Sequence, residues 1–255
     1  MQKLVFWFVL SLLACASLAS AQAPLAASSL DMRADKGEAL AQALLAQQYA
    51  AGNPTEQDLA QAAHWYRKAS DQGFAPAQTN LGVMYEYGQA VPQSLVNAVM
   101  WYRKAALQGH ALGQRNLGYM YEMGRGVQKD EVLAVHWFRL AAKQHSPEGQ
   151  YALGVMHQHG KGCVQDDKQA VQWYRKAAQQ GHAPAQNALG TMYEDGAGVG
   201  KNLRQAYFWY LLAQKNGAQD GVAERVQDAG KRLSAEERRT TEAAVAQWTA
   251  QVPVK

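Results

Sequence analysis

The chain has 255 residues, 48% of them hydrophobic, with 25 lysines and arginines against 21 aspartates and glutamates. That length and apolar fraction can bury a substantial core within a single domain. The net charge of +4 is scattered, with no basic run or arginine-rich tail, which excludes the usual electrostatic footprint of a nucleic-acid binder.

The first element is a targeting segment. Lys3 precedes an apolar stretch from Leu4 to Leu18, which is followed by Ala19-Ser20-Ala21. A positive residue, an apolar run and a small-residue triplet are the layout of a secretory signal peptide, so 1–21 is expected to be removed after Ala21, with Ala23 a neighbouring possibility. The stretch is shorter than the roughly 20 residues that cross a bilayer. The processed chain is therefore expected to be periplasmic or secreted, with no transmembrane segment. Leu12-Leu13-Ala14-Cys15 loosely follows a lipoprotein box, which leaves a lipid anchor at Cys15 as an alternative. Cleavage would leave Cys163 without an intrachain disulfide partner. Residues 22–36 read as a linker or the start of the first helix.

From residue 37 the chain repeats itself. Trp65, Trp101, Trp137, Trp173 and Trp209 lie 36 residues apart, in the contexts WYRKA, WYRKA, WFRLA, WYRKA and WYLLA. Leu45, Leu81, Leu117, Leu153 and Leu189 keep the same period, as do Ala62, Ala98, Ala134, Ala170 and Ala206. The units are 37–72, 73–108, 109–144, 145–180 and 181–216, and each divides into two helices.

In the first helix, Ala77, Leu81 and Tyr85 form one apolar stripe. Gly88, Gly124, Gly160 and Gly196 suit the left-handed position that ends it. Asp58, Ser94, Asp130, Asp166 and Asn202 are N-cap acceptors for the second helix, which buries Ala62, Trp65, Tyr66 and Ala69. Gly73, Gly109, Gly181 and Gly217 close it, with His145 the exception. Arg67 and Lys68 fall in its last turn, where positive charge complements the helix dipole. Gly82, Gly118, Gly154 and Gly190 lie inside the first helix, where glycine costs about 1 kcal/mol relative to alanine. Four such glycines at one phase predict that another helix packs there too closely for a Cβ. Beyond residue 216 the phase is lost. Ser234 and Glu237 form a capping-box pair, and 217–255 is expected to be a helical cap over the last open apolar face.

The unit with Ala77, Leu81-Gly82, Tyr85, Gly88, Ala98, Trp101-Tyr102, Lys104-Ala105-Ala106 and Gly109 resembles the Sel-like repeat, a relative of the tetratricopeptide repeat. The resemblance implies an all-α, right-handed solenoid of five 36-residue helix-turn-helix repeats with a C-terminal helical cap. It also implies a concave groove lined by the first helices and an adaptor role toward a protein or peptide partner in the bacterial envelope. Ala46, Pro54, His145 and His157 depart from the repeat's usual residues, so the first and fourth units are less regular.

Some cysteine-rich relatives have been linked to β-lactams, but this chain has neither a Ser-x-x-Lys motif nor paired cysteines. It also lacks a Walker loop, a His-Glu-x-x-His motif and a Gly-x-Ser-x-Gly motif. No catalytic residue and no cofactor is expected. A binder of cell-wall glycan fragments is the second reading, and a hydrolase acting on cell-wall substrates or β-lactams the last. His157, His159 and Cys163 have the chemistry of a zinc or copper site. Cys163, however, is in phase with Val91, Val127 and Val199, and His157 with Tyr85, Tyr121 and Tyr193. Both read as packing residues, so no metal is expected.

Positions constant between units build the core, which leaves variable ones on the groove face to carry specificity. The variable sets on the first helices are Thr79, Arg115, Tyr151 and Asn187; Val83, Tyr119, Val155 and Thr191; and Glu86, Glu122, Gln158 and Glu194. Steps of three and four residues place them on one helix face. Arg115, Tyr119 and Tyr151 form its central patch, with residue types enriched in binding hot spots.

Overall fold

The computed structural model describes residues 23–219 and 221–250, with side chains from residue 29 onward. The expected signal segment, with Cys15 and Ala21, lies outside the described residues. These form helices and no strand: α1 (Ala23–Asp35), α2 (Ala39–Ala50), α3 (Glu56–Asp71), α4 (Ala75–Tyr87), α5 (Leu95–Leu107), α6 (Ala111–Met123), α7 (Glu131–Lys143), α8 (Pro147–His159), α9 (Asp167–Gln179), α10 (Ala183–Asp195), α11 (Leu203–Lys215), α12 (Val222–Lys231) and α13 (Ala235–Gln247).

The apolar stripes explain the stacking. Each unit is an antiparallel pair, α2 with α3 through α10 with α11, and each second helix packs on the first helix of the next unit. The first helices also approach one another, α4 with α6 and α6 with α8, more closely than the second helices do. In a stacked row the edge whose members lie closer is the inner side of the curve, so the first helices form the inner face. Leu81, Leu117, Leu153 and Leu189 are fully buried between the layers.

The glycines inside the first helices sit under aromatic rings. A Cβ on Gly82, Gly118, Gly154 or Gly190 would lie 2.6 Å from the ring of Tyr102, Phe138, Tyr174 or Tyr210. The expected close approach is therefore made by a side chain of the unit's own second helix.

The constant cations have contacts as well as dipole roles. Lys68, Lys104 and Lys176 hold their Nζ atoms 4.5, 4.0 and 4.2 Å from the Trp65, Trp101 and Trp173 ring centroids, a cation–π arrangement. Arg67, Arg103 and Arg175 donate to the hydroxyls of Tyr85, Tyr121 and Tyr193, each 18 residues on, which ties one unit to the next. In the fourth unit His157 replaces that tyrosine, and its Nδ1 lies 3.7 Å from Cys163 Sγ.

Ser94, Asp130, Asp166 and Asn202 cap their helices as their chemistry predicts, each accepting from the backbone N–H three residues on. Asp58 does not. Helix α3 starts earlier, at Glu56 with Thr55 as its N-cap, and Asp58 is its third residue, in a reciprocal capping box with Thr55. The local Thr-x-x-Asp motif satisfies two backbone donors where a single cap satisfies one, so it outweighs the phase of the repeat. His145, in the closing position, adopts φ 62°.

The tail forms the expected cap. Ser234 and Glu237 make the capping box of α13, and both α12 and α13 pack on α11. Helix α12 sends Arg225 to Asn187 Oδ1 and Thr191 Oγ1 at 3.0 and 2.8 Å, and Arg232 forms a salt bridge with Glu194.

Candidate functional site: the inner face

The three variable sets do lie on the first helices, but the structure uses them differently. The acidic row is turned inward. Glu86 is 8% exposed and accepts from the Tyr102 hydroxyl at 2.7 Å and from Arg125 at 2.6 Å. Glu122, also 8% exposed, pairs with Lys161 at 3.5 Å. Glu194 accepts from the Tyr210 hydroxyl and from Arg232.

Arg125 and Lys161 each stand 39 residues after their acid. At the corresponding place after residue 158 stands Ala197, and there the acid is replaced by Gln158, which accepts from the Tyr174 hydroxyl at 2.6 Å. A nearly buried carboxylate without a cation would be costly. The neutral residue appears where the cation is missing, so this row serves the joining of units.

Thr79 is also buried, at 3% exposure, with its Oγ1 2.8 Å from His110 Nδ1. Asn187 and Thr191 are engaged by Arg225 of the cap, as described above. Val83 and Val155 are partly buried against the core. What remains at the centre is Arg115, Tyr119 and Tyr151. Tyr119 meets Phe138 edge-on, with centroids 4.9 Å apart. Tyr151 lies 5.7 Å from Tyr174 and 5.1 Å from His182. The Arg115 guanidinium sits 5.8 Å from the Tyr119 centroid, and its Nε is buried with no hydrogen-bond partner.

Three further residues belong to this surface. Leu112 and Met123 share a stripe of α6 with Arg115 and Tyr119, at i, i+3, i+7 and i+11, and Tyr87 is the counterpart of Met123 in the unit before. Tyr87, Leu112 and Met123 are 48%, 43% and 60% exposed. Their phases vary between units as strongly as those selected from the sequence, and that variation is the signal that marks them.

His182 borders the patch. It caps α10, its Nδ1 accepting from Ala185 N at 3.2 Å. Burial lowers its pKa to about 4, and the Arg115 charge acts in the same direction against the opposing pull of Glu148. The folded value lies below the unfolded one, so the stability from neutral His182 is fully present above pH 6.5 and is lost as pH falls toward 4. His182→Asn keeps a capping acceptor but does not titrate. Between pH 7 and pH 4 the native chain should lose about 2 kcal/mol more than this variant in urea unfolding. Parallel pH curves would show that His182 is not held neutral.

Elsewhere, the outer face of α5 exposes Val96, Met100 and Leu107 along a cleft of about 310 Å³, rimmed by Arg103 and Lys104. Among the described residues no three metal-ligating side chains come together, and burial pushes the Cys163 thiol pKa up. No helix among them is long and apolar enough to cross a membrane.

Comparison with known proteins agrees with this architecture. A family model described as Sel1 repeat matches at 39–74, 75–110, 111–146, 147–182 and 183–217. The crystal structure of c5321, described as a protective antigen in uropathogenic Escherichia coli strains with an SLR fold, is 38% identical over 86% of this chain, with a TM-score of 0.74. The match covers 48% of c5321, so this chain spans about half the length of that protein. A Sel1 repeat protein from Oxalobacter formigenes is 32% identical over 85% of this chain and 88% of its own, with a TM-score of 0.71. No curated protein sequence matches. Five consecutive matches over most of the described residues, on a solenoid with these neighbours, show that the chain belongs to the Sel1 repeat family, whose repeats mediate protein interactions.

Proposed function

We propose that this chain is a non-catalytic scaffold of the bacterial cell envelope that binds a protein or peptide partner along its inner face. The observation that carries this reading is the surface of α6 and its neighbours. Leu112, Arg115, Tyr119 and Met123, with Tyr87 and Tyr151 beside them, are residues the repeat does not require. They occupy the middle of the inner face, while the acidic row and the cap contacts occupy its base and its C-terminal end. Exposed apolar and aromatic side chains around a cation are the composition of a binding hot spot.

The glycan reading is weaker on the same surface. Tyr119 and Tyr151 are partly buried and packed against Phe138, Tyr174 and His182, which limits the ring area available for a sugar to stack on. Placement in the envelope rests on the 1–21 segment. It is supported by the likeness to c5321, described as a protective antigen.

The test is a pull-down from envelope extracts with the processed chain, set beside the double variant Arg115→Ala with Tyr119→Ala. The native chain should retain a partner and the variant lose at least about tenfold of it, at a temperature where circular dichroism shows both folded, since loss of the Tyr119 ring against Phe138 also lowers the melting temperature. Equal capture by both would refute the inner face as the binding surface. Mass spectrometry of the mature N-terminus tests export: a chain beginning at Gln22 supports cleavage after Ala21, and a lipidated Cys15 supports the anchored alternative.

A further inference from the structure

We infer that Arg115 is the receptor for a carboxylate on the bound partner, supplied by an aspartate or glutamate side chain set between apolar residues. This rests on the peptide-binding reading above and specifies its ligand.

Among the described residues, the cations that reach the inner face from the loops and the cap are answered by the fold. Arg125 meets Glu86, Lys161 meets Glu122, and Arg232 meets Glu194. Arg225 is bound to Asn187 and Thr191. Arg115 forms no salt bridge among the described residues, and its Nε is removed from solvent without an acceptor. A buried donor left unmade is a standing cost that a bound acceptor relieves.

The repeat does not explain this charge. The equivalent positions hold Thr79, Tyr151 and Asn187, all neutral, so the guanidinium is a feature of one unit only. The nearby acids do not supply its counter-ion either. Glu86 and Glu122 have their own cations, and Glu148, whose field also reaches His182, forms no ion pair with Arg115 among the described residues.

The same surroundings select the kind of anion. A guanidinium presents a planar fork that fits a carboxylate in bidentate fashion. A phosphate, with about twice the charge, is normally met by a cluster of arginines, and here there is a single one. Tyr87, Leu112 and Met123, all substantially exposed around it, favour apolar neighbours on either side of the acid. The carboxylate comes from a side chain in mid-segment. Arg115 lies in the third of five units, and the end of the inner face is closed two units further on by α12.

A displayed library of random 12-residue peptides, panned against the processed chain, tests this. Selected peptides should share an Asp or Glu with apolar flanks. Arg115→Met, which keeps the bulk and removes the charge, should weaken them by about tenfold or more. Replacing the peptide's Asp by Asn, or its Glu by Gln, should cost as much on the native chain and almost nothing further on Arg115→Met, which is the signature of a direct pair. Arg115→Glu should select basic residues at the same place.

If the peptides show no acidic preference, or the amide exchange costs the same on both proteins, the carboxylate inference is overturned. The binding surface itself then stands provided Tyr119→Ala still weakens them. If no peptide is enriched, or none responds to any inner-face substitution, the peptide-binding reading falls and this inference with it. Native-like circular dichroism of each variant at the assay temperature separates either result from unfolding.

Discussion

Gly154→Leu is expected to lower the stability of the chain by about 3 kcal/mol, at the upper end of the cost of overpacking a core. Position 154 is buried in the middle of α8, and a Cβ there would stand 2.6 Å from both Cδ1 and Cε1 of Tyr174. The ring cannot move aside cheaply. It is 1% exposed, Tyr151 lies against it, and its hydroxyl is tied to Gln158 at 2.6 Å. The leucine must therefore separate α8 from α9, and α8 carries Tyr151 into the binding surface. Gly154→Ala is the graded comparison, because about 1 kcal/mol gained in helix propensity offsets part of the clash. Gly200→Ala is the control, with open space around its Cβ. In a Tyr174→Ala background the leucine should cost markedly less, a failure of additivity that locates the strain at this contact. A urea midpoint that Gly154→Leu leaves unchanged would show that the glycine is not there for the ring.

A close approach at this glycine is legible in the amino-acid sequence because the 36-residue period turns each position into several observations. One glycine inside a helix is ambiguous, whereas four at one phase require a common cause. The N-caps Ser94, Asp130, Asp166 and Asn202 and the end of the repeats near residue 216 are legible in the same way. Periodicity also sets the limit. It assigns Asp58 by phase, although Thr55 and Asp58 together form a stronger local motif. It places Glu86, Glu122 and Glu194 on the correct helix face but cannot show that Arg125, Lys161 and Arg232 reach back to cover them, since a helical wheel carries no information about the neighbouring unit. Asn187 and Thr191 escape it for the same reason: Arg225, which engages them, lies in the cap, outside the repeat. Variation between units thus marks positions that the repeat does not fix, but does not separate surface free for a ligand from residues buried between units, as Thr79, Glu86 and Glu122 are.

Constancy has a blind side as well, and it leads to the second large effect: Gln186→Leu should destabilise the chain by about 2–3 kcal/mol. Gln42, Gln78, Gln114, Gln150 and Gln186 recur every 36 residues and are at most 4% exposed. Each donates its Nε2 to a carbonyl eight residues earlier, on Ala34, Ser70, Ala106, Ala142 and Ala178 respectively. For the last four, that carbonyl belongs to the final turn of the second helix before it, where the regular helical donor four residues on is missing; it also accepts from the backbone N–H three residues on, of Gly73, Gly109, His145 and Gly181. Each Oε1 in turn accepts from Gln72, Gln108, Gln144, Gln180 or Asn216, 30 residues on. The amide therefore bridges three successive segments of the solenoid. Leucine matches its bulk but removes both hydrogen bonds: the Ala178 carbonyl keeps only the Gly181 backbone N–H and the Asn216 amide loses its acceptor, so the loss should exceed that of a surface substitution.

Gln186→Glu separates the hydrogen bonds from the packing. Its carboxylate can accept from Asn216 but cannot donate to Ala178, whereas its protonated form can do both. Burial raises the folded pKa of that glutamate above its unfolded value near 4.3. The variant should therefore approach native stability below about pH 4 and fall away as pH rises through the folded value. Comparing variant with native chain at each pH removes the opposite, shared contribution of His182. A deficit independent of pH would mean that Gln186 acts through its shape alone and that the ladder of amides does not hold the units together.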